Sequence, residues 1–225
     1  MASNVYWFLI QGDDTPPTSI YPYPRFEETT VKICPQTVKL QKRILYVDMA
    51  YDLEIIRDES NQYIYKSKDI KPPFITQKNP VLGEQNHSGD SIIHIGFPYV
   101  FLSDNKNLEA NLLSPDYSTK HRLGNTKFIE GIIPVGRYGR SLDVAIRVSP
   151  MEHVHLFKGE TLQKIVFNDE INLIHIHPTD KILKYLKSIH QVTSYTKGVK
   201  DIFKRAALTY PYKELEKCEK ISDNR

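Results

Sequence analysis

Between Phe128 and His177 the chain runs FIEGIIPVGRYGRSLDVAIRVSPMEHVHLFKGETLQKIVFNDEINLIHIH, a series of short apolar runs broken by Gly, Pro and Asn/Asp. Runs of this length are too short for helices and are punctuated as strands are, with Lys158-Gly159-Glu160 as a turn just before Leu162–Phe167. The stretch therefore predicts several consecutive antiparallel strands and sets the fold class. Alternation around Val154 predicts that Val154, Leu156, Leu162, Ile165 and Phe167 are buried, with His153 and His155 turned to solvent.

Other short runs extend the pattern towards the N-terminus: Val5–Ile10, Val31–Ile33, Ile44–Val47, Leu53–Ile56 and Asn107–Leu113 read as strands. Tyr63–Tyr65, after the turn residues 58–61, reads as the return of a hairpin. Ser91–Leu102 is strongly apolar, and its Gly96 and Pro98 predict a bend between two strands. Two segments read as irregular, Lys71 to Gly89 and Ser114 to Asn125. Asp13–Pro24 carries four prolines in twelve residues and reads as an extended arm. Its Tyr21 and Tyr23, with Phe26 just beyond, suit either a neighbouring subunit or the arm's own domain.

The apolar period changes after Pro178. Ile182, Leu183, Leu186 and Ile189 recur at helical spacing behind Thr179-Asp180, and Val199, Ile202, Phe203 and Ala206 do so again behind Gly198. The expected fold is mainly β, an antiparallel β-sandwich or β-clip with two C-terminal α-helices. Residues 1–178 form the β-rich domain with its arm at 13–24, and residues 179–225 a helical extension packed on it. The charged tail from Glu214 to Arg225 is expected to fray unless a partner holds it.

The chain has 225 residues and a net charge of +3, with Lys and Glu interspersed. That balance gives no strong nucleic-acid signal, because such binders concentrate charge on one face. Cys34 and Cys218 fit neither a disulfide framework nor a metal knuckle and read as thiols of a reducing compartment. Val5–Ile10 is too short for a membrane span or a signal-peptide core. The expected setting is therefore a cytoplasm, without secretion by a signal peptide and without a membrane.

Candidate chemistry is sparse. His153-Val154-His155 with Glu160, and His175-Ile176-His177, place imidazoles at i and i+2 on strands, where two of them share a face. If the two strands paired, four imidazoles would meet at a metal; if not, they are solvated pairs, and no metal or cofactor is expected. His87, His94, His121 and His190 have no recognisable partners. The glycine-flexed basic turn Arg137-Tyr138-Gly139-Arg140, with Gly136 and Lys127 near it, is the best binding candidate. Glycines let backbone N–H groups face an anion, and arginine forks suit phosphate or carboxylate. Lys127, Arg137, Tyr138 and Arg140 are therefore the candidate anion or partner site; the alternative is a solvated hairpin tip.

Two resemblances attach to these residues. Gly131-Ile132-Ile133-Pro134 to Tyr138-Gly139, with Gly159-Glu160-Thr161-Leu162-Gln163 beginning 28 residues after Gly131, resembles the hairpin and strand motifs of dUTPase-like β-clip proteins. That resemblance implies nucleotide or small-molecule binding. Pro134 stands where the family carries its water-activating Asp, so the same resemblance implies loss of that hydrolytic route. Cys34-Pro35, Gln41-Lys42, Tyr51-Asp52-Leu53-Glu54-Ile55, Gly131-Ile132-Ile133 and Lys158-Gly159-Glu160 together resemble uncharacterised proteins of tailed phages. This implies a phage-encoded β-sandwich, found in the host cytoplasm or the virion. The expected function is a non-catalytic interaction or virion-associated structural role, with protein partners or self-assembly. A nucleotide- or small-molecule-binding β-clip protein, with or without activity, and a metal-dependent cupin-like enzyme are the alternatives.

Overall fold

Strand β1 (Ser3–Leu9) carries the run Val5-Tyr6-Trp7-Phe8, apolar without alternation, because both of its faces are covered. Val5 and Trp7 point into the main core, while Tyr6 and Phe8 point the other way into a second core beneath helices. The chain is seen in a computed structural model that describes residues 2–10, 17–26, 41–57, 63–67, 75–78, 91–115, 127–149, 153–195 and 199–221. The Val31–Ile33 run and the loop at 116–125 lie outside the described residues.

The strands that follow are β2 (Arg25–Phe26), β3 (Ile44–Asp48), β4 (Leu53–Arg57), β5 (Tyr63–Lys66), β6 (Ile75–Lys78), β7 (Ser91–Ser103) and β8 (Ala110–Leu113). Then come β9 (Lys127–Phe128), β10 (Gly131–Ile133), β11 (Ser141–Val148), β12 (Val154–Leu156), β13 (Thr161–Phe167) and β14 (Ile171–His177). Helices α1 (Asp180–Tyr195), α2 (Val199–Thr209) and α3 (Tyr212–Leu215) precede a last strand, β15 (Glu219–Lys220). The fold is mainly β, with antiparallel sheets and C-terminal helices, as the apolar periods predict.

A seven-stranded sheet has the order β15-β14-β1-β7-β11-β9, with β6 also paired to β7; a five-stranded sheet runs β10-β8-β13-β3-β2; β12, β4 and β5 form a third. All three contribute to one core, in which Trp7, Ile93, Ile95, Leu45, Phe167, Leu53, Ile55, Val154 and Leu156 are buried together. Val154, Leu156, Leu162, Ile165 and Phe167 are all inside, and His153 is exposed, as the alternation requires. His155 is only half-exposed, because its ring lies 3.7 Å from that of Phe157. Gly159 adopts φ +79°, the left-handed conformation its turn needs, and its N–H bonds the Met49 carbonyl at 2.9 Å.

The topology departs from the sequence reading in four places. Ser91–Ser103 is one continuous strand, not two: Leu142 of β11 faces the three residues Phe97-Pro98-Tyr99 between the pairs Ser141–Val100 and Asp143–Gly96, so Pro98 sits in an irregularity of the ladder. Ile75–Lys78, inside the segment read as irregular, pairs with the first half of β7. Only the second half of the expected Asn107–Leu113 strand is extended; Leu108 N–H closes a turn onto the Asn105 carbonyl. The tail does not fray at Glu214: α3 follows Pro211, and β15 pairs with β14 through Ile176–Lys220 and His177–Glu219. Glu214 Oε1 accepts from Lys181 and Lys217 at 3.1 and 3.0 Å, tying α3 to α1.

Among the described residues one strand pair is parallel, β1 with β14, inside the otherwise antiparallel sheet. The described part of the arm packs on its own domain. Tyr21 is buried edge-on to Tyr51 and Tyr99, and the Tyr99 hydroxyl donates to the Pro22 carbonyl at 2.6 Å.

Candidate functional site

The turn that joins β10 to β11 crosses from the five-stranded sheet to the seven-stranded one. It is not a hairpin tip, since its two flanking strands lie in different sheets. Every N–H from Val135 to Gly139 is bonded inside the protein. Val135 bonds the Ile133 carbonyl, Gly136 the Leu108 carbonyl, and Arg137 and Tyr138 the Pro134 carbonyl. Gly139 N–H donates to the Tyr185 hydroxyl at 3.1 Å. The backbone anion cradle expected from the glycines is therefore not formed: the donors are spent on the fold.

The glycines serve close approach instead. A Cβ on Gly136 would stand 1.9 Å from the Asn105 carbonyl oxygen, and one on Gly139 would stand 2.3 Å from Leu102 Cδ2. Tyrosines from the helical segment clamp the turn against the sheet. Tyr210 donates to the Val135 carbonyl at 2.6 Å and accepts from Ser103 N–H at 2.8 Å, and Tyr212 donates to the Gly136 carbonyl at 2.5 Å. Burial drives the Tyr210 phenol well above its ordinary pKa, and burial likewise raises Tyr185.

The four candidate side chains do not form one site. Tyr138 is buried in the core under the helices, where burial raises its pKa and the adjacent Arg140 partly offsets that rise. Arg137 is half-exposed, 3.8 Å from Glu109. Arg140 lies beside Tyr138 and reaches Asp143, whereas Lys127 lies on the outer face of the seven-stranded sheet. Lys127 is in register opposite Arg147, so the two cations share that face. Asp143 projects from the same face of β11, where its Oδ2 accepts from Arg140 at 2.8 Å and lies 3.3 Å from His94 Nδ1. His94 stands opposite Ala145, and Ile92 opposite Arg147. All of these are partly open to solvent.

His94, Asp143 and Arg147 are absent from the sequence-derived site. Alternation marks Asp143 and Arg147 as outward residues of Ser141–Val148, but only the pairing of β7 with β11 shows that His94 has a carboxylate partner. The two His-x-His pairs stay apart: β12 belongs to the three-stranded sheet and β14 to the seven-stranded one. His153 lies 3.8 Å from Glu54, and His175 stacks on Trp7 with centroids 4.1 Å apart. Among the described residues no group of three or more His, Cys, Asp or Glu is placed to hold a metal. Cys218 is buried, and burial raises its thiol pKa; Cys34 lies outside the described residues.

A cavity among the described residues holds about 20 Å³ and is lined by Phe101, Leu112, Tyr138, Arg140, Leu142 and Phe167, among others. It has room for about one water molecule, whereas small-molecule sites occupy roughly 300–1,000 Å³. Among the described residues no helix is long and apolar enough to cross a membrane. No protein-family model matches the chain, and no curated protein matches it significantly.

Proposed function

We propose that the chain is a phage-encoded non-catalytic interaction or virion-associated structural protein that works through its surface. The phage origin rests on the motif resemblance given above. The surface reading is carried by one observation, the segment formed by β9, β10 and their linker. This segment crosses the side of the sheets, and Ile129 and Ile132 in it are 40% and 65% exposed. Among the described residues β10 is an edge strand, paired only with β8. Large apolar side chains on an edge strand invite another chain.

The test compares wild type with Ile132→Asp by sedimentation, alongside mass spectrometry of purified phage particles. The expected result is assembly that Ile132→Asp abolishes in a protein with an unchanged melting temperature, together with recovery of the chain from particles. A wild type that stays monomeric and is absent from particles would overturn the proposal. A thermal shift with deoxynucleotides would move the chain to the nucleotide-binding reading.

A further inference from the structure

The small net charge of the chain conceals an uneven distribution. Residues 179–225 hold 11 of the 30 lysines and arginines but only 6 of the 27 aspartates and glutamates, a net charge of +5, whereas residues 1–178 carry −2. The excess has a place in the fold. Ile182, Tyr185, Leu186 and Ile189 turn α1 towards the seven-stranded sheet and are buried in the core beneath the helices. The same helical period leaves Lys181, Lys184 and Lys187 exposed on the other side, about 4.5 Å apart along the axis. On α2, Ala206 enters that core, while Lys204, Arg205 and Leu208 are exposed. Lys181 is held by Glu214 at 3.1 Å, but among the described residues Lys184, Lys187, Lys204 and Arg205 have no carboxylate partner. Arg25 and Arg140 of the β domain differ, since Asp48 and Asp143 hold them at 2.7 and 2.8 Å.

From this we infer that the outer side of α1 and α2 holds the phosphate backbone of a nucleic-acid duplex without reading its sequence. The inference goes beyond the interaction reading above and uses no residue of β9 or β10. A duplex presents one negative charge per about 1.7 Å of its axis, and cations that the fold leaves unneutralised gain by displacing its counterions. Lysine suits this task, because an ammonium on a flexible stem meets a phosphate in any register. The exposed positions of α1 from Lys181 to Ser188 include no carboxylate, so a continuous backbone meets no like charge there. None of the exposed residues named on either helix is aromatic, so unpaired bases find no stacking platform, which favours a duplex over a single strand. An acidic protein segment is disfavoured, since nine of the 11 cations of residues 179–225 are lysines, a residue depleted at protein–protein interfaces.

The experiment measures fluorescence anisotropy of two labelled duplexes of unrelated sequence, each of about 20 base pairs, and of a labelled Glu/Asp-rich peptide, across a salt series. The proteins are wild type, Lys184→Gln/Lys187→Gln, Lys204→Gln/Arg205→Gln and a control, Lys66→Gln/Lys158→Gln, which removes two exposed cations of the β domain. Circular dichroism confirms folding, and either helix variant decides if the other fails to fold. Wild type is expected to bind both duplexes alike and more weakly as salt rises. Each helix variant should lose affinity at least about fivefold for both sequences and lower the salt slope by about 1 for each cation removed, with the control close to wild type. No duplex binding by wild type at low salt, or a folded helix variant that binds as wild type does, overturns the inference. So does a control that loses as much as the helix variants, because the charge would then act from no particular face. An acidic peptide that binds tighter than the duplexes and weakens in the helix variants overturns it in favour of a protein partner.

Discussion

Two parts of one sheet face have opposite fates. Where Tyr6, Phe8, Val100 and Leu102 leave the seven-stranded sheet outward, they meet Ile182, Tyr185, Leu186, Ile189 and Tyr210 and are sealed. Where Ile92, His94, Asp143 and Arg147 leave the same sheet outward, they remain half-exposed and largely polar. β7 crosses the boundary, and the ladder irregularity at Phe97–Tyr99 lies near the change. The difference teaches that a single strand can serve packing along one part of its length and surface along another. It also explains the glycines. Gly136 and Gly139 fall in the sealed region, where backbone meets backbone or a core side chain. Gly131 lies in the open, where a methyl carbon would find nothing within 4 Å.

The largest expected effect is alkaline. Burial pushes Tyr6 and Tyr51 up to about 12 from the ordinary 10.0, and it also raises Tyr21, Tyr99, Tyr185 and Tyr210. The folded state favours each neutral phenol, so stability is complete below pH 10 and declines as pH rises from 10 towards 12 and beyond. Phenolate absorbance from the sealed tyrosines should appear together with loss of circular dichroism. Ionisation of all 14 tyrosines at their ordinary pH in a still-folded protein would deny that these phenols are sealed.

Next comes a paired glycine substitution. Gly136→Ala drives a methyl into the Asn105 carbonyl and should cost about 3 kcal/mol or more, whereas Gly131→Ala should stay within about 0.5 kcal/mol. Urea denaturation of both variants checks this, and equal costs would deny the distinction. Smaller still is a paired polar substitution. Tyr210→Phe strands the Ser103 N–H and the Val135 carbonyl in the core, at about 2 kcal/mol. Asp143→Asn weakens a half-exposed contact with Arg140 and should cost under about 1 kcal/mol. A reversed order in thermal melts would show that the half-exposed face is the structural one.

Fold class was legible because periodicity is a local property. The runs in Phe128–His177 alternate or stop at turn residues, and Ile182, Leu186 and Ile189 return at helical spacing; both signals survive in the structure. Pro98 misled because proline is excluded from regular ladders, yet the register shift opposite Leu142 accommodates it within a single strand. β6 was missed because Ile75–Lys78 is four residues long and Lys-Pro-Pro just before it signals a loop.

The candidate site was legible only in part, and the reason is the distance between its members along the chain. Lys127 and Arg140 could be marked as cations near glycines, but His94 and Asp143 are 49 residues apart and meet only because β7 pairs with β11. The same turn sequence, Pro134 to Gly139, is compatible with an anion cradle or with a buried crossing; the hydroxyls of Tyr185, Tyr210 and Tyr212, contributed by the helical segment that follows the sheets, decide between them. By itself the sequence determined which segments are strands and helices and which of their faces are apolar, since those follow from neighbours a few residues away. Which backbone donors are already used, and which charges share a face, only the tertiary structure decided, because those depend on partners that pairing and packing bring from far along the chain.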